Sequence, residues 1–274
     1  MFTPDSKKLC YRMVKAPPSE WTYYRDAGEV RMADLESGRS DPLVPGFLAL
    51  SYDLSADGRE VVMAAPDPEG KQRLWIAAMD RSVSPRQIPN VEGGSPRFGR
   101  DGDIVFRHVE GSRMEGTTGF IYRVHRDGTG LRKASPHPVL YVDSISPDRQ
   151  WVVAWAPVGD NGPPAVQAFP LDGGSPVTLA GGTYARWSPD GRSVAFFSEN
   201  IAPIPEGRSY LVPLPPGQIL PRIPPGGFHS EEEVARLPGA RRIDEYYVVP
   251  GPSPGQYAFY RGTSLRNLYR IPIP

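Results

Sequence analysis

Apolar positions in this chain come in short, dense runs, broken at regular intervals by polar turns. Between Thr183 and Asn200 the run Tyr184-Ala185-Arg186-Trp187 leads into Ser188-Pro189-Asp190-Gly191, and a second run, Val194-Ala195-Phe196-Phe197, follows. Each turn residue has a physical reason to be there. Pro189 pre-sets φ, the Asp190 side chain can bond amides ahead of it, and Gly191 accepts a positive φ at no steric cost. A continuous apolar run suits a strand covered on both faces. The pattern predicts a strand ending at Trp187, a tight turn, and a strand from Ser193 to Phe197.

The same hairpin recurs in decaying form. Ser55-Ala56-Asp57-Gly58 precedes Val61-Val62-Met63, and Gly99-Arg100-Asp101-Gly102 precedes Ile104-Val105-Phe106. Ser146-Pro147-Asp148-Arg149 precedes Trp151 to Trp155, Thr3-Pro4-Asp5 precedes Leu9-Cys10-Tyr11, and Ser253-Pro254-Gly255 precedes Tyr257 to Tyr260. With Asp5, Asp57, Asp101, Asp148, Asp190 and Gly255 as markers, the steps are 52, 44, 47, 42 and 65 residues. A strand-rich period of about 40 to 50 residues marks a propeller, with one four-stranded blade per repeat. The expectation is a single all-β domain over 1–274: a six-bladed β-propeller with blades near 1–46, 47–91, 92–138, 139–181, 182–225 and 243–274. Ser230-Glu231-Glu232-Glu233 is a capping box with acidic residues in the first turn, and Gly239 lies beyond, so a short helix over 230–237 is expected inside an insert, 226–242.

Blade one has no sequence for an innermost strand, and blade six ends after three strands. A closed ring protects its sheet edges, so the expectation is a natural chain that extends upstream of Met1, or an atypically closed six-blade ring.

Ser-Pro-Asp-Gly-Arg followed by Val-Ala-Phe-Phe resembles the TolB-like, WD40-like β-propeller repeat, and the resemblance covers essentially the whole chain. The end, Asn267 to Pro274, is similar to the C-terminal end of bacterial propellers that are often appended to serine/threonine kinases or DNA-binding domains. The resemblance implies the sensory or interaction part of a bacterial signalling protein, without its effector.

Composition narrows the picture. The 33 prolines and 29 glycines suit short strands joined by turns. Lys+Arg and Asp+Glu are both 31, which gives no electrostatic case for nucleic acid or an anionic membrane. A single cysteine, Cys10, excludes an intrachain disulfide. No apolar run approaches the ~20 residues that span a bilayer, and the start, Met1-Phe2-Thr3-Pro4-Asp5, has no signal-peptide pattern. The compartment stays open: cytoplasmic for the chain as given, periplasmic or otherwise outside the cytoplasm if it is the C-terminal part of a membrane-anchored protein.

In a blade the connections between second and third strands share one face, and here they hold the length: Lys15 to Gly28, Val109 to Thr118, Pro157 to Pro164 and Glu199 to Arg208. That face is the candidate surface for a protein, peptide or small ligand, with Trp21, Tyr23 and Tyr24 as aromatic anchors and Arg113, Glu115, Asp160, Asn161, Glu206 and Arg208 as polar partners. A second set lies on the innermost strands. Asp53, Arg97, Ser144 and Arg186 each precede an apolar residue (Leu54, Phe98, Ile145, Trp187) that belongs between blades. With Asp143, the charged members face the central channel or pair between blades.

No catalytic constellation emerges. Gly251-Pro252-Ser253-Pro254-Gly255 matches the nucleophile-elbow pattern, but that elbow needs a strand-to-helix turn, and another strand follows here. His125-Arg126-Asp127 opens like a kinase catalytic loop, yet Arg132 stands where asparagine is required. Gly128-Thr129-Gly130 lacks the third glycine of a phosphate loop. His108, His125, His137 and His229 have no ligand spacing, so neither metal nor cofactor is expected. The expected function is a non-catalytic binding module. The alternatives are a propeller gating a separate hydrolase, as in the prolyl oligopeptidase and dipeptidyl peptidase IV families, or a propeller enzyme with a channel active site.

Overall fold

The computed structural model describes residues 1–14, 27–110, 119–159, 162–180, 183–198, 207–253 and 255–259. Its first sheet is β1 (Lys8–Met13), β2 (Gly28–Asp34) and β3 (Ser40–Pro42), with β4 (Leu48–Ala49) also pairing β2. Three regular blades follow: β5 (Ser51–Leu54), β6 (Glu60–Pro66), β7 (Gln72–Ala78) and β8 (Arg86–Glu92); β9 (Gly94–Phe98), β10 (Ile104–His108), β11 (Gly119–Val124) and β12 (Arg132–Val139); β13 (Tyr141–Ile145), β14 (Trp151–Pro157), β15 (Pro164–Pro170) and β16 (Val177–Ala180). The fifth holds β17 (Thr183–Trp187), β18 (Ser193–Ser198), β19 (Ser209–Pro213) and, beyond a helix α1 (Glu231–Ala235), β20 (Arg241–Ile243). A two-stranded ladder of β21 (Val249–Pro250) and β22 (Tyr257–Ala258) comes last.

The all-β propeller expected from the repeats is present, but the described residues form five blades rather than six. The discrepancy lies in the 65-residue step. The insert interrupts blade five between its third and fourth strands, and its last residues, with Ile243 at which blade six was expected to open, form Arg241–Ile243, which pairs with Ser209–Leu211 as the outer strand of blade five. The proline-rich stretch near Ile219 forms no strand, since Pro215, Pro216 and Pro221 have no amide to donate. Instead the Ile219 carbonyl accepts from the Trp187 indole at 2.7 Å. Of the other strands expected in blade six, the one from Gln256 is represented by Tyr257–Ala258, which pairs with Val249–Pro250, and Asn267 to Ile273 lies outside the described residues. Blade one differs as well. A stub of inner strand exists: Phe2 bridges Leu9, and the Cys10 amide donates to the Met1 carbonyl at 2.8 Å.

Continuous apolar runs are explained by the cores, which lie between blades. In β6, Val61 and Met63 pack with Cys10, Val30 and Leu43 of blade one, while Val62 and Ala64 pack with Phe98, Ile104 and Phe106 of blade three. In β14, Val152 and Ala154 join Val105 and Ile121 of blade three, and Val153 joins Trp187, Val194 and Phe196 of blade five. A strand alternates its side chains between two faces, and here both faces meet a neighbour. Leu54, Phe98, Ile145 and Trp187 fall in these interblade cores, as the alternation predicts.

The repeated turn has one construction. The hydroxyls of Thr3, Ser55, Ser146 and Ser188 donate to the aspartate two residues on at 2.5–2.6 Å, and accept the amide five residues on at 2.9–3.0 Å. Each aspartate also accepts an amide two residues ahead. Blade three, with Gly99 in place of the hydroxyl, closes its turn instead through a short 3-10 segment, Arg100–Gly102.

Candidate functional site at the propeller axis

The innermost strands β5, β9, β13, β17 and β21 pack side by side in that order, which brings their axial side chains together. Each of the first four ends in a short turn, so the starts of these strands lie on the opposite face, paired with the ends of the second strands. Tyr52, Tyr141 and Tyr184 sit at those starts, and Tyr247 stands just before β21.

Arg97 is the hub. Its Nε donates to the Asp143 carbonyl at 3.0 Å, Nη1 to the carbonyls of Pro96 at 2.7 Å and Tyr52 at 3.4 Å, and Nη2 to those of Val142 at 3.2 Å and Asp143. One guanidinium therefore joins blades two, three and four. Asp53, buried, accepts the Phe98 amide at 2.8 Å and faces Arg149 at 3.7 Å, and Arg149 donates to the Phe98 carbonyl at 2.8 Å. Arg149 reaches inward from a turn residue with φ of 61°.

Arg186 pairs with Asp143 at 2.9 Å through Nη2, which also donates to the Tyr247 hydroxyl at 3.1 Å, and its guanidinium lies 5.2 Å from the Tyr247 ring centre. Burial opposes the charge of Arg186, but Asp143 and Tyr247 outweigh it and hold its pKa above the ordinary value. Asp143 reaches this pair because β13 carries a bulge between Val142 and Ser144, and a bulge re-aims the extra side chain. The neighbouring Ser144 donates across the blade boundary to the Ala185 carbonyl at 3.1 Å. Burial, with the Asp143 carboxylate beside it, pushes the Tyr141 hydroxyl well above its usual range; its ring lies 5.9 Å from that of Tyr184. The Tyr52 hydroxyl donates to the Cys10 carbonyl at 2.7 Å, and burial raises it too. The same carbonyl accepts the Met1 amine at 2.6 Å; burial pulls that amine down to about 5, and the Arg186 guanidinium adds to the effect.

The structure thus brings Asp53, Arg97, Asp143 and Arg186 into one bonded cluster whose ion pairs and hydrogen bonds run between blades. Trp21, Tyr23, Tyr24, Arg113, Glu115, Asp160, Asn161 and Glu206 lie outside the described residues. Arg208 is away from the axis. It stands 3.9 Å from Glu231 and lines a shallow depression of about 260 Å³ with Tyr210, Glu232 and Arg242. The axial tyrosines were not among the sequence candidates. They occupy different offsets from the turn marker, so no repeat register aligns them, although Tyr141 and Tyr184 are visible as the first aromatic of each inner strand. Trp155, directly opposite Tyr141 in the ladder, is more than a third exposed and extends the aromatic surface outward on the same face. Gly251 and Gln256, on either side of the serine in the elbow-like pattern, join the end of β21 to the start of β22, the Gly251 amide donating to the Gln256 carbonyl at 2.8 Å.

No protein-family model matches the chain, and no curated protein matches it in sequence. Solved structures do share its fold. The putative TolB from Agrobacterium tumefaciens superposes with a TM-score of 0.60 at 16% identity, over 89% of this chain and 79% of that one. TolB from Acinetobacter baumannii gives 0.56 at 16% identity over 77% of this chain, which spans only 50% of that one. An oligogalacturonate lyase in complex with manganese gives 0.51 at 15% identity, over 77% of this chain and 60% of that one. At such identities the likeness is one of fold: a TolB-like β-propeller.

Proposed function

We propose that this TolB-like propeller is a non-catalytic binding module that takes a protein or peptide on the face where the axial tyrosines gather. One observation carries the reading: Tyr52, Tyr141, Tyr184, Arg186 and Tyr247, from four inner-strand segments, converge at one end of the axis, whereas the opposite end is built of short turns whose polar groups bond one another. Tyrosine with arginine on a rigid frame suits recognition, because few rotamers are lost on binding. Similarity to both TolB and a lyase leaves the reading to rest on the site itself, since a fold does not set its function. Among the described residues no helix is long and apolar enough to cross a membrane.

The test is a peptide display selection on the intact chain, with the selected peptides measured against four variants. Tyr141→Ala and Trp155→Ala on the tyrosine face are expected to weaken binding at least 10-fold. Arg59→Ala and Arg192→Ala on the turn face are expected to leave it unchanged. The reverse pattern, or no selectable peptide, overturns the proposal.

A further inference from the structure

Resting on that reading, we infer that the axial mouth is built to take a carboxylate, received by Arg186. The three axial guanidiniums differ in how fully they are used. Arg97 spends Nε, Nη1 and Nη2 on five donations to backbone carbonyls. Arg149 uses Nη1 alone, on the Phe98 carbonyl and Asp53, but it comes from the turn at the opposite end of the axis. Arg186 uses Nη2 alone, on Asp143 and Tyr247, and its Nε and Nη1 donate to no group among the described residues. Its side chain is 18% exposed, at the tyrosine-lined end of the axis.

The pair with Asp143 is also an incomplete one. Only Oδ1 is engaged; Oδ2 is buried and has no partner among the described residues. An arginine held for structure alone gains most by gripping both carboxylate oxygens in a fork. Arg186 makes a one-point contact and keeps donors in reserve. The charge balance points the same way. Within the bonded cluster Arg97, Arg149 and Arg186 face only Asp53 and Asp143, which leaves one positive charge that a monoanion neutralises. A phosphate, carrying more charge, needs several converging donors or cations, and of the three axial arginines only Arg186 keeps donors in reserve at the tyrosine-lined end. The rings of Tyr141 and Tyr184 beside it provide flat, amphipathic walls for the chain on either side of the acid.

A carboxylate reaches such a site from a peptide C-terminus or from an Asp or Glu side chain, and one experiment separates them. Each selected peptide is made as free acid and as amide, with its acidic side chains intact or replaced by Asn and Gln, and its affinity is read by fluorescence polarisation on wild type, Arg186→Gln and Arg186→Lys. Removing the recognised carboxylate is expected to weaken wild-type binding at least 10-fold, amidation or side-chain replacement identifying which one it is. Arg186→Gln is expected to bind all versions alike, at the weakened level, and Arg186→Lys to recover part of the difference. Equal affinity of all versions for wild type overturns the inference while leaving the binding-module reading intact; failure to select any peptide overturns both. A preference for lysine-bearing peptides that Asp143→Asn abolishes also overturns it. Should Arg186→Gln fail to fold, the wild-type Arg186 Nε–H resonance decides: it is expected to shift on addition of acetate and not of methylammonium, and an unmoved resonance sinks the inference.

Discussion

At the scale of single residues, Thr3, Ser55, Ser146 and Ser188 show how a small hydroxyl sets a whole repeat. Each is buried, and each both donates to an aspartate and receives a strand amide, so replacing one by alanine strands two partners. Ser55→Ala is expected to cost about 1–2 kcal/mol in urea unfolding, the range for a buried amide left without its acceptor. The Ser55 hydroxyl, then the Arg59 amide, hold the Asp57 carboxyl below its ordinary 3.8. A lowered folded-state pKa means that this contribution is complete above the unfolded value and disappears as pH falls through the folded one. The wild-type urea midpoint is therefore expected to fall more steeply than that of Ser55→Ala between pH 5 and pH 3. Parallel curves for the two proteins would show that the turn carboxylate carries no such linkage. Arg97 is the larger lever. Arg97→Ala removes the donors of four carbonyls on three blades and is expected to destabilise by about 3–5 kcal/mol. Arg97→Lys is expected to recover little of this, because an ammonium cannot fan out to the same acceptors.

The insert of blade five is the informative element. Its capping box was legible: the Ser230 hydroxyl accepts the Glu233 amide, and the Glu233 carboxylate accepts the His229 amide at 2.8 Å. Its destination was not legible. The insert returns to blade four, where the Phe228 amide donates to the Leu179 carbonyl at 2.7 Å, and Phe228 packs edge-on to Phe196 at 5.7 Å. It thereby covers the outer edge of β16, one way a sheet edge is protected. Gly227 makes the approach possible. Its φ is 88°, and a Cβ there would lie 2.9 Å from the Leu179 carbonyl oxygen. Gly227→Ala is expected to cost at least ~2 kcal/mol through strain and that clash together. Thermal unfolding checks it, and an unchanged midpoint would show that the insert does not clamp blade four.

For the whole molecule the question is what joins the blades. Apolar cores account for most of the contact between neighbours, with the axial network laid across them. A double-mutant cycle on Asp143→Asn and Arg186→Gln measures the polar share between blades four and five. A favourable coupling of about 2 kcal/mol is expected for so little exposed a pair, and a value near zero would leave the apolar core as the only tie. Sequence alone determined the all-β class, the repeat length, the turn chemistry and the apolar residues between blades. Those features depend on residues close together in the chain, where strand alternation and turn stereochemistry act directly. Tertiary structure alone decided that the described residues make five blades, because a strand displaced by an insert pairs by edge complementarity, not by position in a repeat. It also decided the axial site. Asp143 is brought there by a bulge and the tyrosines by strands at different offsets, and only closing the blades around a common axis puts such distant residues within bonding distance.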